Sequence, residues 1–565
     1  MAEFIKKNWK IIVFAAVVAL GIFLRVWHFH DWLYFKMDQA RDASTIRNAF
    51  LNGPGRLPLL GPKAGGTSAN VGPAFYYFQY LSAMLFRSVS PPVLAYPDLL
   101  FSILSIPLFY FFLKKYFLRE WSLVLAGLYA VCFLGIEYSR FAWNPNSLVF
   151  FNLLFFYALL NVFDEKAKRK LLWVIVAGLS FAISTQLHFL SFATLPVITV
   201  IFLAFNLKEI KKYLDWKKIL IFLAIILLLY LPVVANEIIS HGKDTAAFFA
   251  AVKSKPSHHS LWENINRNMR YWGQYWFLIA TSWIGGEKDT VSSVVGWVLL
   301  ILPGLFLAIK FYREEKNNLK KKFLLLSILW FSAYFLIYIP IAFQIRPRFF
   351  LPILALPFIF VGYIAKYLWE KKEKIWKILV IIFLAIILFG NLAGTYLWFK
   401  EIKDAQKKGI YPTRTIILKA RDGIVLWHLE NAAKYIREDC KENTAYYFSV
   451  NEYKRPVEYL LGLQGIRGAT IDNLYLGQKT CVYGVLLTRS AKTKLPASIT
   501  DKFDNVGSKK FGAITIVNLA VKDEFVGQPL GYTSKPLPEA SLESGRVFWK
   551  DIFRAAKATK AKNVK

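Results

Sequence analysis

The chain has 565 residues, of which 56% are hydrophobic, 17% are Phe, Trp or Tyr and only 19% are charged, with mean hydropathy +0.38. Soluble domains are about 45–50% apolar and about 25% charged, so this composition excludes an ordinary soluble enzyme, a disordered chain and a collagen-like fibre. The net charge of +34 sits mainly in short basic runs between apolar stretches, the pattern of membrane topology signals rather than of nucleic-acid binding.

A helix needs about 20 mostly apolar residues to cross the hydrocarbon core. Such runs lie at 11–28, 98–113, 121–138, 147–163, 171–188, 190–206, 219–235, 291–310, 322–342, 349–365 and 376–397. They predict a mainly α, polytopic bundle of about eleven spans. Lys6, Lys7 and Lys10 put the N-terminus inside. The runs Lys114–Arg119, Lys166–Lys170, Lys208–Lys218, Lys310–Lys322 and Lys366–Lys377 also fall inside, provided that 73–89 does not cross. That apolar, aromatic segment therefore reads as re-entrant or interfacial, the alternative being a twelfth span that violates the charge rule. The segments 29–97, 139–146, 236–290, 343–348 and 398–565, together with the turn near His188, then face outside.

After residue 397 the apolar runs shorten to strand length. This divides the chain into a membrane module, 1–397, and a small extracytoplasmic α/β domain, 398–565. Residues 424–438 read as an amphipathic helix, and TAYYFSV, CVYGVLL and AITIVNL as strands. Cys440 and Cys481 could close one disulfide there. The basic end, 546–565, reads as a frayed, membrane-near helix.

The first external loop is the richest in polar groups. Asp38, Arg41, Asp42 and Thr45 share one helix face. A carboxylate there can take a proton from a hydroxyl, and a guanidinium beside it can bind phosphate; equally, Asp38 can be the N-cap of a helix over 39–51. The Gly- and Pro-rich stretch that follows, holding Arg56 and Lys63, forms a long irregular loop of the kind that binds or covers ligands. Arg140 and Asn144 gather at a second external corner, although Asn-Pro is also an ordinary turn signal. His188 ends a span, where a lone His is more often structural. Arg346 and Arg348 form an external basic corner against the positive-inside trend, suited to a phosphate head group. Glu237 is a weaker acidic candidate. His28, His30 and Asp31 lack helix-compatible ligand spacing, and the His258-His259 side chains diverge, so no cofactor is expected, with a divalent metal as the weaker alternative.

Asp38-Gln39-Ala40-Arg41 after a first span, then Gly72-Pro73 with Tyr76-Tyr77, resembles the GT-C glycosyltransferases, in particular the protein O-mannosyltransferases and the lipid A aminoarabinose transferases. The resemblance covers about residues 1–365. It implies a multi-pass enzyme of the plasma membrane that moves a sugar, with inversion, from a polyprenyl-phosphate carrier to an acceptor glycan, lipid or protein outside. It further implies Asp38 as general base, Arg41 as holder of the leaving phosphate and Arg348 as a second phosphate ligand, with two juxtamembrane helices in the first loop. Four positions depart from the pattern: Gln39 stands where a Glu is usual, Gly72 where a basic residue is, Asn144 where an Asp is, and Asp98 where many relatives have Arg. Two other readings stand beside it, a lipid or solute transporter and an inactive relative that binds lipid as a scaffold. The spans are almost free of ionisable residues and show no duplication, which speaks against the transporter.

Overall fold

The computed structural model describes residues 2–64, 67, 69–254, 259–286, 289–440, 444–448, 451–466, 468–470, 475–476, 481–487, 495–531 and 546–552. All eleven apolar runs lie on helices. Among the described residues seven helices are long and apolar enough to cross a membrane, or eight if Pro347–Ile353 and Leu356–Trp369, bent by 60°, form one span. Runs 147–163 and 190–206 form shorter apolar helices, Leu148–Phe163 and Phe189–Phe205. The chain is a multi-pass membrane protein with a helical bundle and a small C-terminal sheet.

Run 121–138 is broken into Arg119–Ala130 and Phe133–Tyr138. A break at that depth needs a substitute for the lost helix bond. Asn391, fully buried on helix Lys374–Lys408, supplies it by accepting the Phe133 N–H at 2.8 Å. Its amide donates to the Ala280 carbonyl at 2.6 Å, so one side chain ties three helices.

Four helices position the site: α1 (Ala2–Val26), α2 (Met37–Asn52), α3 (Ala74–Phe86) and α4 (Pro91–Leu113). The paired Pro91-Pro92 start α4 because the first helical N–H groups need no partner. At 13 residues α3 is about 20 Å long, short of the about 30 Å hydrocarbon core. It ends at Arg87 in the left-handed region, φ 51°, and the chain turns directly into α4.

Segment 236–290 is largely helical instead of an open loop. Lys243–Ser254 and Leu261–Thr281 occupy most of it. The second begins at a capping box, with Ser260 accepting the Glu263 N–H and Glu263 accepting the Ser260 N–H. Its inner face buries Trp272 and Trp276 among Phe331, Phe350 and Phe360.

In the C-terminal part, helix Leu426–Asp439 and three strands form where their patterns predict. The sheet comprises β1 (Thr444–Phe448), β2 (Gly468–Thr470), β3 (Cys481–Leu487), β4 (Phe503–Phe511) and β5 (Ile514–Val521), in the order β2-β1-β3-β5-β4. The β1 strand is parallel to β2 and β3, whereas β5 runs antiparallel to β3 and β4. Cys440 and Cys481 are disulfide-bonded. Helix Lys374–Lys408 runs unbroken through residue 398, and the C-terminal part is docked on the first loop: Leu426 and Trp427 donate N–H bonds to the Leu33 and Asp31 carbonyls. The basic end is not a frayed helix over its described length. Residues 546–548 lie extended against Leu57–Leu59 before a single helical turn at 549–552, because their backbone finds bonding partners there; 553–565 lie outside the described residues.

Candidate functional site

Asp38 sits inside the first turn of α2 and does not cap it; the cap position is Lys36, in extended backbone. Gln39 uses its amide oxygen to accept the Lys36 N–H at 3.2 Å and reaches the Ala142 carbonyl at 3.4 Å, so at this departure from the expected acid the side chain stitches two external segments together. Arg41 bridges two carboxylates, 3.2 Å to Asp38 one helical turn before it, as the three-residue spacing allows, and 2.9 Å to its sequence neighbour Asp42. Asp42 also accepts the Tyr76 hydroxyl at 2.8 Å. Burial raises the Asp42 carboxyl above its ordinary range against the pull of Arg41. The Asp42 side chain is 2% exposed and that of Asp38 41%, so of the two acids only Asp38 is open to a substrate.

The basic corner lies beside it. The Arg348 guanidinium stacks on Trp143 at 5.0 Å and on Phe349 at 5.3 Å, within electrostatic reach of Asp38 and His188. Neither Arg346 nor Arg348 has a side-chain hydrogen bond or ion pair among the described residues, and Arg346 is exposed. Asn144 donates to the Leu187 carbonyl at 2.7 Å. His188 accepts the Leu190 N–H at 3.2 Å through Nδ1, capping helix Phe189–Phe205. These two hold the wall of the corner.

Three sequence candidates lie apart from it. Arg140 is buried and donates at 2.7 Å to the carbonyls of Arg25 and Trp27 at the end of α1, where a cation satisfies orphaned helix carbonyls. Burial lowers its pKa to about 9. Its two terminal nitrogens are thus engaged by those carbonyls. Lys63 and Glu237 belong to a second cluster around Asp244, on which both charges act. Asp244 accepts two bonds from Asn70, 3.1 Å from its backbone and 2.8 Å from its amide, and docks the Gly/Pro loop on helix Lys243–Ser254.

The other departures also have structural causes. A Cβ at Gly72 would meet Gln186 at 2.4 Å, so no basic side chain fits there. Asp98 is buried on α4 and accepts the Trp143 N–H at 2.9 Å and the Ser147 hydroxyl at 2.5 Å, clamping the corner that carries Trp143. Lys36 was not singled out in sequence; it is buried, bonded to Asp422 and to the Lys419 carbonyl, and joins the first loop to the C-terminal part. Tyr76 and Arg546 are also partners that sequence reasoning did not assign to the site. Tyr76 lies in the quoted Gly-Pro-x-x-Tyr-Tyr motif, whereas nothing local marks Arg546. Among the described residues, no group of three or more His, Cys, Asp or Glu is arranged to hold a metal ion.

A family model described as dolichyl-phosphate-mannose-protein mannosyltransferase matches residues 70–235. No curated protein matches the chain by sequence. Among solved structures, ArnT from Cupriavidus metallidurans in the apo state aligns at TM-score 0.54 and 11% identity, over 91% of this chain and 98% of that one. The same protein bound to undecaprenyl phosphate aligns at TM-score 0.51 and 11% identity, over 90% and 98%. The archaeal oligosaccharyltransferase AglB from Archaeoglobus fulgidus, in complex with an inhibitory peptide and a dolichol-phosphate, aligns at TM-score 0.46 and 13% identity, over 83% and 66%. The two ArnT alignments establish the architecture: this chain has the GT-C fold, as the sequence resemblance implied, and its segment 70–235 matches the mannosyltransferase family.

Proposed function

We propose that the chain is an inverting membrane glycosyltransferase that takes a sugar from a polyprenyl-phosphate carrier and passes it to an acceptor on the outer face. The observation that carries this reading is the open carboxylate of Asp38 within electrostatic reach of Arg348, which like Arg346 has no bonded anion among the described residues. Undecaprenyl phosphate in the ArnT structure supports a lipid-phosphate donor. Asp38 removes the acceptor's proton as the bond from the acceptor oxygen to the anomeric carbon forms. The bond from that carbon to the phosphate oxygen breaks, and Arg348 and Arg346 take up the charge on the departing lipid phosphate. Such preorganised donors are worth about 2.7–4 kcal/mol each. Arg41, occupied by two carboxylates, holds Asp38 in place; the phosphate role passes to the Arg346–Arg348 corner.

Positive loops inside and an external first loop set the orientation in this proposal. The Cys440–Cys481 bond supports a C-terminal part in an oxidising, extracytoplasmic compartment. No metal or nucleotide takes part in any step proposed.

The test uses purified protein in lipid nanodiscs with a panel of polyprenyl-phosphate monosaccharides, with and without cell-envelope extract as acceptor. Release of polyprenyl phosphate from one donor, falling about 10²–10⁴-fold in Asp38→Asn, is expected of a general base. Equal release by that variant sinks the assignment. Lipid binding without release under every acceptor condition would mark an inactive scaffold.

A further inference from the structure

The chain returns to the first loop almost at its end. Leu59 donates its N–H to the Val547 carbonyl at 3.0 Å, and Trp549 donates its own to the Leu57 carbonyl at 3.2 Å. The Trp549 indole donates to the Tyr77 hydroxyl at 2.9 Å. These contacts place the Arg546 guanidinium 3.4 Å from the Thr45 hydroxyl on α2 and 3.4 Å from the Tyr76 hydroxyl on α3.

The chemistry of Tyr76 gives this contact a direction. A phenol has one proton to donate. Arg546 can only donate, so it occupies a Tyr76 lone pair and leaves the single proton for Asp42. Asp42, held from that side, accepts Arg41 Nε, and Arg41 Nη1 reaches Asp38. An ordered relay therefore runs Arg546–Tyr76–Asp42–Arg41–Asp38, its outer pair lying 470 positions apart in sequence.

We infer that Arg546 is a positioning residue for Asp38: segment 546–552 straps α2 to α3, and its arginine fixes the Tyr76 hydroxyl that anchors the Asp42–Arg41–Asp38 set. The inference rests on the reading of Asp38 as general base, yet its structural half is measurable without turnover. Among the described residues Arg546 touches no group at the Arg346–Arg348 corner, so its loss should leave donor binding alone and disturb the Asp38 carboxylate.

The experiment takes the full-length chain in nanodiscs as wild type, Arg546→Gln and Arg546→Lys. It measures kcat and donor KM from polyprenyl-phosphate release, and hydrogen exchange across 37–49 and 74–86. In Arg546→Gln, exchange quickens in both helices, while kcat falls about tenfold at a donor KM within about twofold, the split expected when an acid is displaced but donor contacts remain. Arg546→Lys, which keeps the charge and a donor, recovers most of the rate. Unchanged exchange and kcat in Arg546→Gln would overturn the inference, as would a fall expressed mainly in donor KM, since that would mean direct contact with the donor. If wild type releases lipid phosphate from no donor in the panel, the proposed function fails, while exchange still decides the strap: faster in Arg546→Gln supports it, unchanged rejects it.

Discussion

Arg348 keeps its guanidinium stacked on Trp143 with no carboxylate bonded to it among the described residues, and a partly desolvated cation without a bonded partner gains most from an incoming anion. Arg348→Gln should therefore weaken undecaprenyl-phosphate binding by about tenfold or more, in line with the about 1.5–3 kcal/mol of a charged hydrogen bond. Arg348→Lys should recover little of it, because a lysine neither stacks nor offers a planar pair of donors. Binding measured by titration of the lipid into nanodiscs decides this, and retention of full affinity in Arg348→Gln would move the phosphate elsewhere. Asp98 acts on stability instead. Asp98→Ala orphans the Trp143 N–H and the Ser147 hydroxyl, each at about 1–3 kcal/mol, so its melting temperature should drop clearly below that of wild type. An unchanged melt would show that the corner is held by other contacts. The sequence presented Asp98 only as a missing arginine; its partners stand 45 and 49 residues away, and no local pattern encodes them.

At the scale of single elements, helix length decides what α3 can do. Its 13 residues cover about two-thirds of the hydrocarbon thickness, which argues for both of its ends on one side. Lys63→Cys and Arg87→Cys should each react with a membrane-impermeant thiol reagent from the side that carries the C-terminal sheet. Background is low, since Cys132 is buried and the other two cysteines are bonded. Labelling from opposite sides would make α3 a span. The charge rule argues against a crossing there by physics independent of helix length. Helix Leu261–Thr281 was less legible: its Asn, Arg, Tyr and Trp residues dilute the apolar run that marks a span, while its buried stripe becomes visible only against the aromatic residues of 331–360.

At the scale of the whole molecule, the C-terminal part acts as a brace on the first loop through Lys36–Asp422, Leu33–Leu426 and Arg546–Tyr76. The Cys440–Cys481 bond closes 41 residues, which by chain entropy stabilises the fold by about 4 kcal/mol. Reduction should lower the melting of the sheet-bearing part and leave the α-helical signal of the bundle largely intact; thermal scans with and without reductant read this directly, and identical scans would refute it. The eleven apolar runs, the strand-length runs after 397 and the shared face of Asp38, Arg41 and Asp42 were determined by the sequence alone, because hydrophobic run length and helical period are local properties of the chain. Only the tertiary structure decided that Asp42 is sealed and Asp38 open, that Arg140 is spent on helix carbonyls, that Lys63 and Glu237 gather around Asp244, and that Arg546 arrives beside Tyr76. Each of those outcomes depends on side chains brought together across tens to hundreds of residues, where packing and the satisfaction of buried polar groups, rather than spacing, select the partner.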